Sequence, residues 1–299
     1  MNKNKKHKLK GFLLTIFGAI SWGFSGTCGQ YLMNTKNLDS NYITNIRLLF
    51  AGLLLIIFSI IKNKNKTFEI FKNKKDTITL FLFAIFGMLI CQVAYLQAIY
   101  YTNAPTATVL QFLSSVFIVI GICIIEKRLP KKIEIFAVIT AVLGTFTLAT
   151  HFNLNSLVIT PLGLFWGIVA ALAVVLYSIL PLNILKKYSS IVVTGFGMFI
   201  GGVVLTIILR PWNIKIDFDF MTFFALFSIT IIGTVFAFTS FLAGISIIGP
   251  VKGSLIAGLE AISSLFFSII LLKESFGFFD ILGMALILIA VTTLSLKKE

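Results

Sequence analysis

Charge is scarce in this sequence, since Asp, Glu, Lys and Arg together make up 12% of the 299 residues. Soluble globular domains carry about 25% charged residues, so this chain has too little polar surface to cover a globule in water. That shortage excludes a water-soluble domain. With hydrophobic residues at 58%, the class that remains is an all-α integral membrane protein.

Cysteine and histidine are also rare. The three cysteines, Cys28, Cys91 and Cys123, lie far apart within apolar segments, which excludes a disulfide framework and a metal site. The only histidines, His7 and His151, are distant from the centre of any apolar run. The sequence lacks HExxH, GxSxG and GxxxxGKS/T patterns, so it predicts neither an enzyme nor a cofactor.

What the sequence has instead is a series of apolar runs separated by lysine clusters, prolines or Asn/Asp turns. Each run is close to the roughly 20 residues that a helix needs to cross a bilayer, so we predict ten transmembrane helices. A basic tail, residues 1–10, precedes them. The predicted spans are Gly11–Met33, Tyr42–Ile61, Thr77–Tyr101, Thr106–Ile125, Ile133–Thr150, Pro161–Asn183, Ser190–Leu209, Phe220–Ile247, Val251–Leu272 and Phe278–Leu296.

Lysines and arginines collect in alternate loops. With the N-terminus in the cytoplasm, twenty of the 25 cations fall on the cytoplasmic side and four on the other, and Arg47 lies within a span. This asymmetry predicts a multi-pass protein of the cytoplasmic (inner) membrane with both termini in the cytoplasm. The formal charge of +14 is therefore a topology signal, so the expected partner is the lipid bilayer and not nucleic acid.

The two halves of the chain resemble each other weakly. A shift of 146 residues pairs Gly87 with Gly233 and Leu96 with Leu242, and the predicted helix boundaries stay in step. A chance match between apolar segments is the alternative explanation. If the repeat is real, residues 11–150 and 161–296 each hold five spans, and an odd number makes the second unit inverted in the membrane. Inverted repeats around a central cavity are the architecture of alternating-access carriers.

Four stretches carry a more specific resemblance: Gly18-Ala-Ile-Ser-Trp-Gly-Phe-Ser-Gly, Arg47-Leu-Leu-Phe-Ala-Gly, Ala107-Thr-Val-Leu-Gln-Phe-Leu-Ser and Leu259-Glu-Ala. They resemble the EamA family of the drug/metabolite transporter superfamily over nearly the whole chain. The resemblance implies a ten-helix carrier of two inverted five-helix repeats, with a cavity lined mainly by helices 1, 3, 4, 6, 8 and 9. The family often has Pro after the Glu of the ninth helix, where this chain has Ala261, so a proline kink is not expected there. The resemblance does not identify the cargo.

Glu260 is the most informative side chain, because it lies nine residues into a predicted span, about 14 Å from its start. An ionised acid at that depth costs several kcal/mol unless it is paired, protonated or in contact with water. It is our candidate for a substrate counter-charge and for proton coupling. The alternative is a structural Glu that bonds to a neighbouring helix. Arg47, about 9 Å into the second span, is a candidate for a substrate carboxylate or for a helix–helix contact.

Other polar and aromatic residues are predicted to line the same cavity. Thr108, Gln111 and Ser115 form one stripe on the fourth span, and Ser114 is paired with Glu260 in the repeat alignment. The alternative for each is helix–helix packing or hydrogen bonding. The predicted substrate-binding set is Glu260, Trp22, Gln111, Ser114, Ser25, Gln92, Tyr95, Tyr177, Trp166 and Arg47.

These features together predict a secondary transporter. The expected cargo is a small polar or amphipathic metabolite, such as an amino acid, an amine or a related compound, carried across the inner membrane by alternating access. Proton coupling through Glu260 and facilitated diffusion both remain open. The alternative class is a structural or receptor-like membrane protein without transport activity. A ten-helix bundle is able to enclose its own cavity, so we expect a monomer.

Overall fold

A computed structural model describes residues 3–153, 158–213 and 219–295, and within these ranges the chain is helical without β-strands. Residues 1 and 2 of the basic tail and Leu296, the predicted end of the last span, lie outside the described residues. We number the main helices α1 Lys3–Asn34, α2 Ser40–Asn63, α3 Lys74–Tyr101, α4 Ala104–Gln111 with Ser114–Ile125, α5 Lys132–Thr150, α6 Pro161–Ile179, α7 Ser190–Leu209, α8 Phe220–Ile248, α9 Pro250–Ala257 with Leu259–Leu272, and α10 Phe278–Ser295.

The helices lie where the apolar runs predict them. Among the described residues, α1 to α8 each contain a stretch long and apolar enough to cross a membrane, whereas Leu259–Leu272 and Phe278–Leu294 are apolar but shorter. The described part of the basic tail differs from its prediction, because α1 already begins at Lys3. The predicted sixth span also ends early, at Ile179, since Pro181 lacks the N–H that would continue the helix.

Two kinds of local irregularity recur at a spacing within one residue of the 146-residue shift. α3 contains a π-helical segment, Phe83–Leu89, and α8 contains another, Ser228–Phe236. α4 is interrupted at residues 112–113, and α9 is interrupted at Gly258. The interruption of α9 therefore arises without a proline, two residues before Glu260. Because π-helical segments often occur at functional sites, these positions draw attention to the centre of the bundle.

Short connections make consecutive helices antiparallel. We call the end of the bundle where α1 begins the terminal end, and the other the opposite end. Pairs of helices from the two halves of the chain pack along each other: α2 with α7, α5 with α10, α1 with α8, and α3 with α6.

Ion pairs join the two halves of the chain at both ends. At the opposite end, Lys36 pairs with Asp219, the N-cap of α8. At the terminal end, Lys187 contacts both oxygens of Asp76 at 2.9 and 3.0 Å, and the Tyr188 hydroxyl donates to Asp76 at 2.9 Å. The hydrogen bond from Lys187 holds the pKa of Asp76 below its ordinary value. This contribution to stability is therefore present at neutral pH and is lost as the pH falls through that lowered pKa.

Glycines allow the α2–α7 pair to approach backbone to backbone. A Cβ on Gly52 would lie 2.4 Å from the Phe199 nitrogen, and one on Gly202 would lie 2.8 Å from the Leu49 nitrogen. Neither neighbour is a flexible side chain, so the two helices would have to separate to admit a methyl group. Small residues of this kind are what permits close helix packing in a membrane.

We therefore expect Gly52→Ala to destabilise the folded protein by about 1–3 kcal/mol, the usual range for overpacking. Gly121→Ala is the matched control, because a Cβ at Gly121 meets nothing within 4 Å. Thermal unfolding of the two purified variants in the same detergent measures the difference. Equal midpoints for both variants would show that the α2–α7 contact is not as close as described.

Candidate functional site

A cavity of about 450 Å³ lies at the centre of the bundle. Trp22, Arg47 and Tyr95 line it from α1, α2 and α3. The cavity extends toward the terminal end, because the lining residues of α6, α8 and α10 lie in the halves of those helices nearest that end. The lining residues are Trp22, Arg47, Cys91, Gln92, Tyr95, Gln111, Phe112, Ser114, Ser115, Ile118, Val174, Tyr177, Ser178, Phe238, Phe241, Leu242, Ile245, Ala257, Glu260 and Val291.

Arg47 brings a positive charge to this cavity from α2. Its side chain is 5% exposed, and its Nε donates to the Thr234 hydroxyl at 2.8 Å. Thr234 in turn donates to the Ile229 carbonyl within the π-helical segment of α8. The described residues offer no hydrogen bond to the two terminal guanidinium nitrogens. Arg47 is thus oriented through one nitrogen and retains two donor nitrogens for a ligand in the cavity.

Glu260 brings a negative charge to the same cavity from α9. It is the second residue after the interruption at Gly258, and the helix backbone there lies against α1, since a Cβ on Gly23 would be 2.5 Å from the Glu260 carbonyl. Among the described residues, its carboxylate has no hydrogen bond and no ion pair, Arg47 included.

Several of the predicted residues surround these two charges. Trp22 packs against Phe238 and Phe241, with ring centroids 5.1 and 4.6 Å apart. The Gln111 amide lies 3.6 Å from the Cys91 sulfur, and the Tyr95 hydroxyl is hydrogen-bonded to Thr108 at 2.9 Å. The other predicted residues that line the cavity are Gln92, Ser114 and Tyr177. The predicted repeat mates Ser114 and Glu260 therefore face one cavity.

Two predicted residues do not line the cavity. Ser25 lies against α8, where a Cβ on Gly233 would be 2.2 Å from its oxygen, and that hydroxyl is sealed without a partner among the described residues. Trp166 packs beside Phe165 and against the apolar cluster formed by α1, α3 and neighbouring helices. Each of these two residues packs against a neighbouring helix instead.

The sequence interpretation missed residues that the structure brings to the site. Phe238, Phe241 and Cys91 line the cavity, and Thr234 orients Arg47. The phenylalanines carry no distinguishing signal, because the chain has 31 of them. Within the described ranges no three His, Cys, Asp or Glu residues lie together as metal ligands.

The opposite end of the bundle holds a polar contact that the sequence also did not suggest. Gln30 of α1 is fully buried; its carbonyl accepts from the Ala104 nitrogen at 2.8 Å, and its amide donates to Glu274 at 2.5 Å. Ala104 begins α4, and Glu274 follows α9. We call this contact the Gln30 seal, and it links α1 to the start of α4 and to the segment that follows α9.

Comparison with known proteins identifies the family. The sequence profile of the EamA-like transporter family matches residues 9–150 and 161–296. This chain belongs to the EamA-like transporter family. The EamA match supports the resemblance expected from the four sequence stretches, and it makes the protein a membrane transporter and not an enzyme.

Two curated relatives are also described as transporters. An inner membrane transporter of Salmonella typhimurium, YicL, described as uncharacterized, is 39% identical over 294 residues, covering 97% of this chain and 96% of its own. The riboflavin transporter ImpX of Fusobacterium nucleatum is 29% identical over 154 residues, about half of each chain. A solved crystal structure, described only as that of a protein, covers 97% of this chain and 95% of its own, with a TM-score of 0.59 and 13% identity. It shares the fold.

Proposed function

We propose that this EamA protein is a secondary carrier that moves a small zwitterionic metabolite across the inner membrane by alternating access. The observation that carries the proposal is the pair of opposite charges, Arg47 and Glu260, facing one central cavity without bonding to each other. A buried charge left without a partner is costly in a membrane protein and marks a substrate or ion pathway.

The proposed architecture is ten spans in two inverted repeats, residues 11–150 and 161–296. It is supported by the irregularities that recur at a spacing within one residue of the 146-residue shift. It is also supported by the packing pattern: exchanging α1–α5 with α6–α10 turns the α1–α8 contact into α6–α3 and the α1–α9 contact into α6–α4, and all four contacts are present. The distribution of lysines supports cytoplasmic termini, and a single copy encloses the cavity, so we propose a monomer.

In this topology the terminal end is cytoplasmic, so the cavity faces the cytoplasm. The Gln30 seal closes the periplasmic end. Release on that side requires the seal to open while α4, α6, α8 and α9 close over the present entrance. Rocking of one repeat against the other produces that exchange, because the two repeats are related by inversion.

The two charges define the cargo. An α-amino acid supplies an ammonium group for Glu260 and a carboxylate for the two free nitrogens of Arg47. An amine leaves Arg47 without a counter-charge, and a carboxylic acid leaves Glu260 without one. Trp22, Phe238 and Phe241 offer aromatic surface to the remainder of the ligand, and their faces suit an ammonium group as well. The cavity volume of about 450 Å³ falls in the usual range for small-molecule sites.

A thermal-shift comparison of three matched ligands tests this proposal on the purified protein. Phenylalanine, phenethylamine and 3-phenylpropanoate share one apolar group and differ only in their charges, and other neutral amino acids extend the series. A ligand at about 100 times its Kd stabilises the folded state by about 2.7 kcal/mol. We expect amino acids to stabilise the protein more than either single-charge analogue.

Each other result contradicts part of the proposal. If phenethylamine stabilises the protein as much as phenylalanine does, Arg47 does not bind the ligand. If 3-phenylpropanoate stabilises it as much as phenylalanine does, Glu260 does not bind the ligand. If no amino acid, amine or acid raises the unfolding midpoint, the cargo assignment is wrong and the structural or receptor-like alternative is favoured.

A further inference from the structure

A second cavity, of about 380 Å³, lies on the outer surface of the bundle between α4 and α5. Its walls are aliphatic side chains of the two helices: Val119, Ile120, Ile124, Ile135, Val138 and Ile139. Two of them are well exposed, Ile124 at 72% and Ile139 at 54%. The groove exists because α5 packs chiefly along α10 and contacts α4 much less.

Cations surround the terminal end of this groove. Lys127, Lys131 and Lys132 lie in the α4–α5 connection and at the start of α5, and all three are exposed. The described residues provide no ion pair to any of these three ammonium groups. Each is therefore available to an anion that lies at the mouth of the groove.

Arg128, the fourth cation of this connection, is paired with two acidic residues. Its terminal nitrogens donate to the two Glu134 oxygens at 2.8 and 3.0 Å, and its Nε donates to Glu126 at 2.7 Å. Glu134 also accepts from the Lys131 backbone nitrogen at 2.6 Å. These bonds neutralise both local acids and hold the connection in place. These bonds to Glu134 and Glu126 raise the pKa of Arg128, so the guanidinium stays charged.

The corresponding connection in the second half of the chain lacks this cluster. At a shift of 146 residues, Lys127 corresponds to Lys273, but Arg128 corresponds to Glu274 and Lys131 to Gly277. Of the three lysines beside the α4–α5 groove, the α9–α10 connection therefore keeps the counterpart of Lys127 alone. A general requirement for closing the fold would place it in both halves.

We propose that the α4–α5 groove binds an anionic membrane phospholipid. One acyl chain lies along the aliphatic walls, and the phosphate contacts Lys127, Lys131 and Lys132. The argument for this occupant is charge complementarity: the groove wall faces the hydrocarbon region, and the lysines stand at the level of the headgroups. Basic pockets between transmembrane helices on the cytoplasmic side bind anionic headgroups in this way. The site is separate from the central cavity and does not depend on the proposed cargo.

Native mass spectrometry of the purified full-length protein tests the lipid site. Delipidated protein is titrated with phosphatidylglycerol or phosphatidylcholine of identical acyl chains, and bound lipid is counted. The first variant is Lys127→Gln/Lys131→Gln/Lys132→Gln. The matched control is Lys72→Gln/Lys74→Gln/Lys75→Gln, which removes the same charge from exposed positions before and at the start of α3, at the same end. A third variant, Val138→Trp, fills the groove and keeps every charge.

We expect wild type to prefer phosphatidylglycerol by at least about fivefold, as attraction to even one lysine would give. The first triple variant should lose that preference, the control triple should keep it, and Val138→Trp should reduce binding of both lipids. Free glycerol 3-phosphate should not compete. If both triple variants lose the preference for phosphatidylglycerol equally, the preference comes from general surface charge and the proposed site is wrong. Unchanged binding in Val138→Trp, or full competition by glycerol 3-phosphate, would exclude an acyl chain from the groove. All variants are first checked for a wild-type unfolding midpoint.

Discussion

Replacing Glu260 with glutamine is expected to reduce transport of a zwitterionic cargo by at least about tenfold. The amide keeps the size of the side chain and its place in the cavity, but it removes the negative charge that faces the ammonium group. Hydrogen bonds to charged groups contribute about 1.5–3 kcal/mol, which corresponds to about 10- to 150-fold in affinity. Because the described residues give Glu260 no bond that the substitution would break, we expect folding to be retained.

Uptake of a labelled amino acid into proteoliposomes measures this effect. Glu69→Gln is the matched control, because it removes one exposed acid outside the cavity. The same assay under imposed pH gradients tests the proton-coupling role proposed for Glu260. A pH dependence that is the same in wild type and Glu260→Gln would remove Glu260 from the coupling step, and an unchanged rate would remove it from the site.

The second large effect is expected from Arg47→Gln. This change should weaken binding of amino acids and carboxylates by about 10-fold or more, while amines should bind as well as before or better. Arg47→Lys should not restore binding. A single ammonium group lacks the planar pair of donors that a carboxylate accepts, and it would lose the Nε bond to Thr234.

Arg47 also joins α2 to α8, so its loss affects packing as well as binding. Thr234→Val separates the two effects, since it removes the acceptor at 2.8 Å but leaves the guanidinium in the cavity. We expect Thr234→Val to keep most of its affinity for amino acids. If Thr234→Val reproduces the full loss seen in Arg47→Gln, the role of Arg47 is helix contact, and the carboxylate site is wrong.

The positions of the helices followed from the sequence, because apolar length alone decides whether a segment spans a bilayer. The irregularities inside them did not. An apolar run has the same composition whether each backbone N–H donates to the carbonyl four or five residues earlier. The sequence therefore did not predict the π-helical segments at Phe83–Leu89 and Ser228–Phe236. The interruption at Gly258 is likewise not marked by a proline.

The site was partly predictable for a related reason. Glu260 and Arg47 stood out because charges inside spans are rare and therefore informative. Ser25 and Trp166 did not line the cavity, because the rotation of a helix about its axis depends on which neighbours it packs against. When a helix is apolar on all sides, its sequence does not predict which side faces the cavity. Gln30 was missed because its partners, the Ala104 nitrogen and Glu274, come from distant segments.

The central claim is that one cavity holding both charges opens to each side of the membrane in turn. To test it, Ser115→Cys is introduced into a variant whose three native cysteines are replaced. A membrane-impermeant thiol reagent is then applied to one face of the membrane at a time, and labelling of the new cysteine is measured. Ser115 lines the cavity, and Ala98→Cys, at a fully buried position, is the control that should stay unlabelled. We predict rapid labelling from the face of the N-terminus, slower labelling from the other face, and protection by a bound amino acid at both. Labelling from one face alone under every ligand condition would contradict alternating access.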